Sequence, residues 1–200
     1  MSRFASLACS CLFVFVASPA ALTAQEAEYE SPDAAKMIKM AMSAAPASIA
    51  GHATITDTDG NVLRDGTNGW TCVTTEDPMC LDEQFAGFIH AYMNKETPSV
   101  TETGFGYMLN CCTEGGSNVD PFAEAATDDN EWLEAGGPHL MVVVATADAL
   151  AGLPTHPKEG GPWVMWRDTP YAHIMVPLGK HGPMHERMHE GMHEKDMGCQ

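Results

Sequence analysis

The sequence predicts an α+β fold, in which a mainly antiparallel sheet carries two or three helices on one face and is followed by a flexible C-terminal tail. Three observations support this prediction. Helical periodicity appears early in the chain, whereas the last regular elements are three strand-like runs, an order typical of α+β domains. Apolar residues make up 44% of the 200 positions, which is enough for one hydrophobic core. Residues 179–200 carry no apolar stripe that could dock on that core.

Residues 1–24 follow the pattern of a secretory signal peptide. Arg3 and the amino terminus supply positive charge, residues 4–17 form an apolar run, and small residues then precede a cleavage point before Gln25. An uncleaved anchor is disfavoured because the run is short. Lipidation of Cys9 is disfavoured because this residue precedes most of the run. We therefore expect a periplasmic or secreted protein with no membrane attachment after cleavage.

The mature chain begins with an acidic leader and the start of a helix over residues 25–36, and residues 37–178 form a single domain. Ser31 is placed to cap this helix, with a proline at its first position. An Asp-Gly turn at 59–60 predicts a hairpin. It joins two short predicted strands, residues 53–57 and 61–64.

The stretch 66–93 organises the domain. Asp-Gly and Asn-Gly pairs predict tight turns at its start, because Gly and Asn tolerate positive φ. Cys72 and Cys80 then enclose a short polar loop. From Phe85 onwards, apolar residues recur at helical spacing, which predicts an amphipathic helix that ends near Asn94.

The rest of the domain alternates strands with loops. A strand over 103–109, which Gly104 and Gly106 either weaken or bend into a bulge, precedes a long loop at 110–130. Loops of that length in a compact domain are usually functional or mobile. Residues 139–145 are the most apolar run of the mature chain and predict a central strand buried on both faces. A short helix and two more strands follow, at residues 147–153, 163–166 and 172–176.

Export makes disulfides expected, because cysteines oxidise outside the cytoplasm. Two of the seven cysteines leave with the signal peptide, and five remain: Cys72, Cys80, Cys111, Cys112 and Cys199. The four in the domain permit three pairings. The Cys72–Cys80 disulfide is the preferred pair, because the loop between these residues is short and rich in turn formers. The pairing of Cys111, Cys112 and Cys199 stays open.

The charge balance narrows the choice of partners. Acidic residues outnumber basic residues 27 to 10, and the formal net charge is −17. Phosphate backbones and anionic lipid surfaces both attract clustered Lys and Arg, so this balance argues against nucleic acid and against membranes. We expect an acidic, soluble protein that diffuses freely.

Six short motifs stand out along the domain. They are A-A-P-A-S-I (44–49), G-T-N-G-W-T-C (66–72), D-P-M-C-L-D (77–82), S-N-V-D-P (117–121), G-G-P-H-L-M-V (136–142) and T-P-Y-A-H-I-M-V-P (169–177). Together they resemble a family of small exported bacterial proteins of uncharacterised function, over residues 37–177. The resemblance implies export and one compact domain, and it implies no reaction. The tail and the Cys111–Cys112 pair depart from the family pattern, so any function of the tail is an addition to the domain.

The tail repeats Met-His-Glu every four residues. Thioether sulfur is a soft ligand suited to Cu(I), and imidazole suits copper and zinc. The repeat therefore predicts an exported protein that binds or buffers copper, with zinc the less favoured metal. The candidate ligands are Met184, His185, Met188, His189, Met192, His193 and Met197. The alternative is a solvated low-complexity tail that binds metal only by accident.

The same repeat matches the zinc-protease pattern H-E-x-x-H twice, at residues 185–189 and 189–193. That chemistry needs a helix buried against a substrate cleft and a third ligand further on. Here no apolar face exists, Gly191 interrupts the segment, and glutamates at four-residue spacing oppose a helix. We interpret the match as a by-product of the repeat.

Two further hypotheses concern the domain itself. A secreted, hydrolase-like enzyme for a small molecule would place its site near the 110–130 loop, with candidate residues Ser117, Asp120, His139 and His173. The serine lacks a G-x-S-x-G elbow, and nothing in the spacing requires catalysis. The other hypothesis is a non-catalytic binding module. The sequence favours a protein that is not an enzyme.

Overall fold

The structure is a computed structural model, and it describes residues 32–111, 115–134 and 136–179. The predicted signal peptide and the segment 180–200, which carries the predicted copper ligands, lie outside the described residues. Among the residues described, no helix is both long enough and apolar enough to cross a membrane.

Strands dominate the described part of the domain. In chain order they are β1 (Thr54–Thr56), β2 (Val62–Arg64), β3 (Thr71–Val73), β4 (Met79–Leu81), β5 (Gly104–Met108), β6 (Gly116–Ser117), β7 (Trp132–Leu133), β8 (His139–Val143), β9 (Trp163–Met165) and β10 (His173–Pro177). Eight of them form one sheet in the order β2-β1-β3-β4-β5-β8-β10-β9, and β6 pairs with β7 alone. Within the large sheet only β1 and β3 are parallel. The predicted α+β fold with a mainly antiparallel sheet is confirmed.

Within the described ranges, three α-helices and two 3₁₀ helices accompany the sheet: α1 (Pro32–Met42), α2 (Ala47–Ala50), α3 (Glu83–Met93), and the 3₁₀ turns Ala147–Leu150 and Pro157–Glu159. The first of the 3₁₀ turns occupies the start of the helix predicted at 147–153. Asp82 caps α3, since one of its carboxylate oxygens accepts the backbone N–H of Phe85 at 2.8 Å. The other oxygen accepts the N–H of Phe105 at 2.7 Å. One carboxylate thus ties the start of α3 to β5.

The helices lie on both faces of the sheet, so the prediction of helices on one face is wrong. Cys80 of β4 belongs to a buried cluster that includes Ile38 and Ala41 of α1. The next residue, Leu81, belongs to a second cluster that includes Phe85 of α3. Neighbouring residues on a strand point to opposite faces. Therefore α1 and α3 cover opposite sides of β4.

Two glycines allow α3 to lie directly on β5. A Cβ on Gly104 would stand 2.9 Å from the backbone nitrogen of Phe85, and a Cβ on Gly106 would stand 2.9 Å from the Phe85 ring. Carbon atoms in ordinary contact lie about 3.5–4.0 Å apart. These glycines therefore mark a close approach of helix and strand. From the sequence, the two glycines could indicate either a weakened strand or a bulge. The structure shows the physical reason for them, which is the close contact with α3.

A disulfide joins Cys72 of β3 to Cys80 of β4, as predicted. The two residues stand directly opposite each other in the antiparallel pair, and both are fully buried. The segment between them, predicted as a polar loop, is the turn of the β3–β4 hairpin. Strands of three residues are too short to show a clear alternation of apolar and polar positions. Cys111 is disulfide-bonded as well, whereas Cys112 and Cys199 lie outside the described residues.

Candidate functional site

A cavity of about 350 Å³ opens on the α3 side of the sheet. Its wall is formed by α3, by strands β5, β8, β9 and β10, and by the segments around β6 and β7. Most of the lining is apolar, with four aromatic side chains and four methionines: Phe85, Phe88, Trp163, Trp166, Met108, Met141, Met165 and Met175. The ionisable side chains of the lining are Asp77, Glu134, His139 and His173. A largely apolar wall with a few polar groups is the usual form of a small-ligand site.

His173 is the most deeply buried ionisable side chain of the cavity, with 2% of its surface exposed. Its Nδ1 lies 3.0 Å from the carbonyl oxygen of Tyr171. A carbonyl oxygen can only accept, so Nδ1 carries the proton and Nε2 keeps a lone pair. Burial lowers the pKa of His173 to about 4, against the opposing effect of the Tyr171 hydrogen bond, and His139 also lowers it. The ring is therefore neutral at neutral pH, and its Nε2 can accept a hydrogen bond or bind a metal.

Aromatic rings surround the His173 imidazole. Its edge-to-face partners are Trp166, Phe88 and Phe85, at 5.1, 5.6 and 6.3 Å between ring centroids. Two of these rings come from α3 and the third follows β9. Together they keep water from the imidazole and limit its orientations, which is the arrangement that a pre-organised binding group requires.

Trp166 has a left-handed backbone conformation, with a φ of 56°. This conformation is uncommon for a bulky side chain and costs about 1–3 kcal/mol. Its backbone N–H donates to the carbonyl oxygen of Asn118 at 2.9 Å, and its indole N–H donates to that of Ser117 at 2.8 Å. The ring of Tyr92 stacks on the indole with the centroids 5.1 Å apart. These contacts fix the indole at the cavity wall, where strained residues of binding sites are often found.

His139 lies at the other end of the same wall. It stands opposite Pro177 in the β8–β10 pair, and His173 lies four residues before Pro177 on β10. At the usual rise per residue, the backbones of the two histidines are therefore about 13 Å apart along the strand direction. Nδ1 of His139 lies 2.9 Å from the carbonyl oxygen of Gly137 and 3.5 Å from Sγ of Cys111. Because that cysteine is disulfide-bonded, its sulfur carries no proton. The two histidines thus both line the cavity, but they lie at opposite ends of its wall.

Ser117 and Asp120, the other two candidates for a hydrolytic site, do not line this cavity. The Ser117 hydroxyl oxygen accepts the backbone N–H groups of Val119 at 3.2 Å and of Asp120 at 2.9 Å. The Asp120 carboxylate accepts the N–H of Phe122 at 2.9 Å. Both side chains thus stabilise turns of the segment that follows β6. The structure gathers the two predicted histidines in one cavity and leaves the serine and the aspartate outside it.

The methionines of the cavity were not predicted, although the sequence carries a signal for them. The pattern H-x-M occurs twice on strands, at 139–141 and at 173–175. Residues two apart on a strand share a face, so each histidine brings a methionine to its own side of the sheet. Because β8 and β10 are neighbours, Met141 and Met175 stand directly opposite each other.

The described ranges contain no group of three or more His, Cys, Asp or Glu side chains that could hold a metal ion. The predicted copper ligands of the tail lie outside the described residues: Met184, His185, Met188, His189, Met192, His193 and Met197.

The fold and the cavity define a class of protein, namely a small α+β domain with an apolar pocket beneath a helix. Comparison with protein-family models, curated proteins and solved structures gives no match to this chain. The function is therefore inferred from the geometry of the cavity, and the resemblance to a family of exported proteins stays a prediction.

Proposed function

We propose that this protein is an exported, non-catalytic binding protein and that the cavity of its domain is the binding site. The observation that carries the proposal is the composition of the wall, where aromatic and methionine side chains surround a buried, neutral imidazole. Ligand pockets combine such a wall with a few polar groups that orient the ligand. A volume of about 350 Å³ suits a small ligand. Export is proposed from the signal-peptide pattern of residues 1–24.

Binding is favoured over hydrolysis by the positions of the polar side chains. A serine nucleophile needs a base within hydrogen-bond reach, at about 2.6–3.2 Å. The Ser117 hydroxyl instead accepts two backbone N–H groups of its own turn, and it lies outside the lining that contains His139 and His173. A hydrolase-like function therefore has no support from the geometry of these residues.

The charges of the lining narrow the class of ligand. Asp77 and Glu134 are carboxylates, and no lysine or arginine occurs among the described residues that line the cavity. An anion would lose its hydration there without gaining a cationic partner. The ligand is thus a neutral molecule or a cation, with a surface that thioethers and aromatic rings solvate well.

Nile red, an uncharged dye whose emission rises in apolar surroundings, tests whether the cavity binds ligands. Gly116 and Gly136 line the cavity, and at neither glycine would an added Cβ meet an atom within 4 Å. Gly116→Trp and Gly136→Trp therefore place a Cβ without a clash at the cavity lining, and each added indole should weaken dye binding about tenfold. Gly87→Trp is the matched control, because Gly87 is exposed on α3 and equally open. Equal dye affinity in all four proteins would exclude the cavity as the binding site.

We also propose that the tail binds copper. The observation that favours this second function is the repeat itself, which supplies six soft or borderline ligands between residues 184 and 193. Copper titration of full-length variants that lack these side chains is the test.

A further inference from the structure

We infer that the ligand of the cavity is Cu(I), bound by Met141, Met165, Met175 and His173. The inference rests on the proposed binding function of the cavity. It adds a site within the domain to the copper site proposed for the tail.

The four side chains form a contiguous group on one face of the sheet. Met175 stands opposite Met141 in the β8–β10 pair, and His173 stands opposite Met165 in the β9–β10 pair. His173 and Met175 are two residues apart on β10, so all four share a face. Paired or adjacent members of the group lie about 5–7 Å apart at Cβ, and Met141 and Met165, on the strands either side of β10, lie about 10 Å or more apart. All four line the cavity.

Methionine is suited to span such distances. Its side chain is unbranched and has three rotatable bonds, so its sulfur can adjust to an ion without movement of the backbone. Met141 is 7% exposed, and Met165 and Met175 are half-buried. Three thioethers and one imidazole can therefore converge within the cavity while the sheet holds their backbones in register.

His173 has the hydrogen bond that a metal-binding histidine needs. Histidine ligands usually donate the second ring N–H to a carboxylate or a carbonyl, which fixes the tautomer and the ring orientation. Nδ1 of His173 donates to the Tyr171 carbonyl oxygen at 3.0 Å, so Nε2 is the atom with a lone pair for the ion. Both atoms of this bond are held by β10 and by the turn before it.

The ligand set favours Cu(I) over other common ions. Thioethers are soft ligands, whereas Mg²⁺ and Ca²⁺ require oxygen. All four proposed ligands are neutral, and a monovalent ion costs less to bury than a divalent one. Trp163 stands opposite Met175 on the same face, and Trp166 lies 5.1 Å from the His173 ring. Indole rings beside a bound cation can add cation–π attraction.

The test uses the full chain in which the four tail methionines are changed to Leu, the three proposed tail histidines to Asn and Cys199 to Ser, so that the tail keeps none of its sulfur ligands and none of its proposed imidazole ligands. Cu(I) is titrated without oxygen against a chromophoric Cu(I) chelator. We expect one Cu(I) per chain, sulfur and nitrogen scatterers in the X-ray absorption spectrum, and quenched tryptophan emission. Met141→Leu/Met175→Leu nearly conserves volume and should weaken Cu(I) binding about a hundredfold. The matched control is Met40→Leu/Met93→Leu, because these methionines are 38% and 72% exposed and lie outside the cavity.

The outcomes separate the metal from the pocket. Unchanged affinity in the Met141→Leu/Met175→Leu protein, or no Cu(I) bound by its parent, overturns the Cu(I) site. If the tail-substituted parent protein still binds Nile red in that case, the proposed binding function stands without copper. If the parent protein binds neither Nile red nor Cu(I), both proposals are wrong. Near-ultraviolet circular dichroism checks that the double variant is folded. If it is not, the single variant Met165→Leu at the half-buried position takes its place with the same expected direction.

Discussion

The rings of Trp166 and His173 lie 5.1 Å apart and meet at 71°. Trp166 is itself held by the stacked ring of Tyr92 and by the indole hydrogen bond to the carbonyl oxygen of Ser117. The imidazole thus rests against a fixed aromatic wall, while the carbonyl of Tyr171 holds its Nδ1. These surroundings accommodate a neutral ring and penalise a charged one.

The buried imidazole should make the stability of the metal-free protein depend on pH. Burial lowers the pKa of His173 from 6.5 to about 4, and His139 acts in the same direction. In the unfolded chain this histidine binds a proton below about pH 6.5, whereas in the folded chain it does so only near pH 4. The stabilisation that comes from burying the neutral His173 ring is fully present above about pH 6.5. It is lost as the pH falls towards 4, and the loss reaches about 3 kcal/mol.

Urea unfolding of the metal-free protein at a series of pH values measures this effect. His173→Gln should lower the free energy of unfolding at neutral pH and flatten its decline below about pH 6.5, because glutamine does not titrate. His52→Gln is the control, since His52 is exposed and outside the cavity, and this variant should keep the wild-type slope. Equal slopes in wild type and His173→Gln would contradict the prediction.

The contact between α3 and β5 should tolerate no side chain at its two glycines. Gly104→Ala would place a Cβ 2.9 Å from the Phe85 backbone nitrogen, and Gly106→Ala would place one 2.9 Å from the Phe85 ring. Each should destabilise the protein by about 1–3 kcal/mol, and Gly104→Ala more, because backbone yields less than a ring. Gly87→Ala, at an open helical position, should stabilise by about 0.5–1 kcal/mol. Denaturant midpoints that move in the same direction for all three variants would refute this account of the glycines.

The Cys72–Cys80 disulfide should contribute measurably to stability. In the chain-entropy view, closing a loop with a sequence separation of 8 is worth about 2–3 kcal/mol. The variant Cys72→Ala/Cys80→Ala should lose that amount together with the packing of two fully buried sulfurs. It is preferable to a reducing agent, which would also reduce the disulfide of Cys111. Thermal unfolding measures the loss, and non-reducing peptide mapping that finds both thiols free in the wild type would exclude the bond.

Periodicity predicted the elements that are long enough to display it. α3 has its apolar residues at helical spacing, and β8 and β10 are recognisable from their apolar runs. Met93 continues the helical spacing at the end of α3 and yet is 72% exposed, because the spacing of residues cannot show where the neighbouring sheet ends. The hairpin of β3 and β4 was missed, since three residues per strand leave no room for a pattern.

The candidate site was predicted only in part, because its residues come together through strand order. His139 and His173 were chosen for their chemistry, and the structure places both in one cavity. The pairing of Met141 with Met175 depends on β8 lying next to β10, although the β9 segment separates them in the chain. The hydrogen bonds of Ser117 could not be predicted for a related reason. Its hydroxyl is used by a turn, and turn hydrogen bonds are hard to recognise from residue types alone.

In the tail, the methionines should bind mainly Cu(I) and the histidines should bind Cu(II). Thioethers hold the reduced ion, whereas imidazoles accept either. Changing Met184, Met188, Met192 and Met197 to Leu should therefore weaken Cu(I) binding and spare Cu(II). Changing His185, His189 and His193 to Asn should weaken Cu(II) binding most.

Both sets of changes are best made in the full-length Met141→Leu/Met175→Leu protein, so that the proposed domain site does not mask the tail. These replacements keep the length of the chain and the number of acidic residues, so a change in affinity reports the loss of ligands and not a loss of charge. Competition titrations against a Cu(I) chelator and against a Cu(II) chelator measure the two affinities. We expect each set to lower its own affinity about tenfold or more. If neither affinity changes in either variant, the repeat is a solvated tail without a role in copper binding, and any copper that the protein binds is held by the domain.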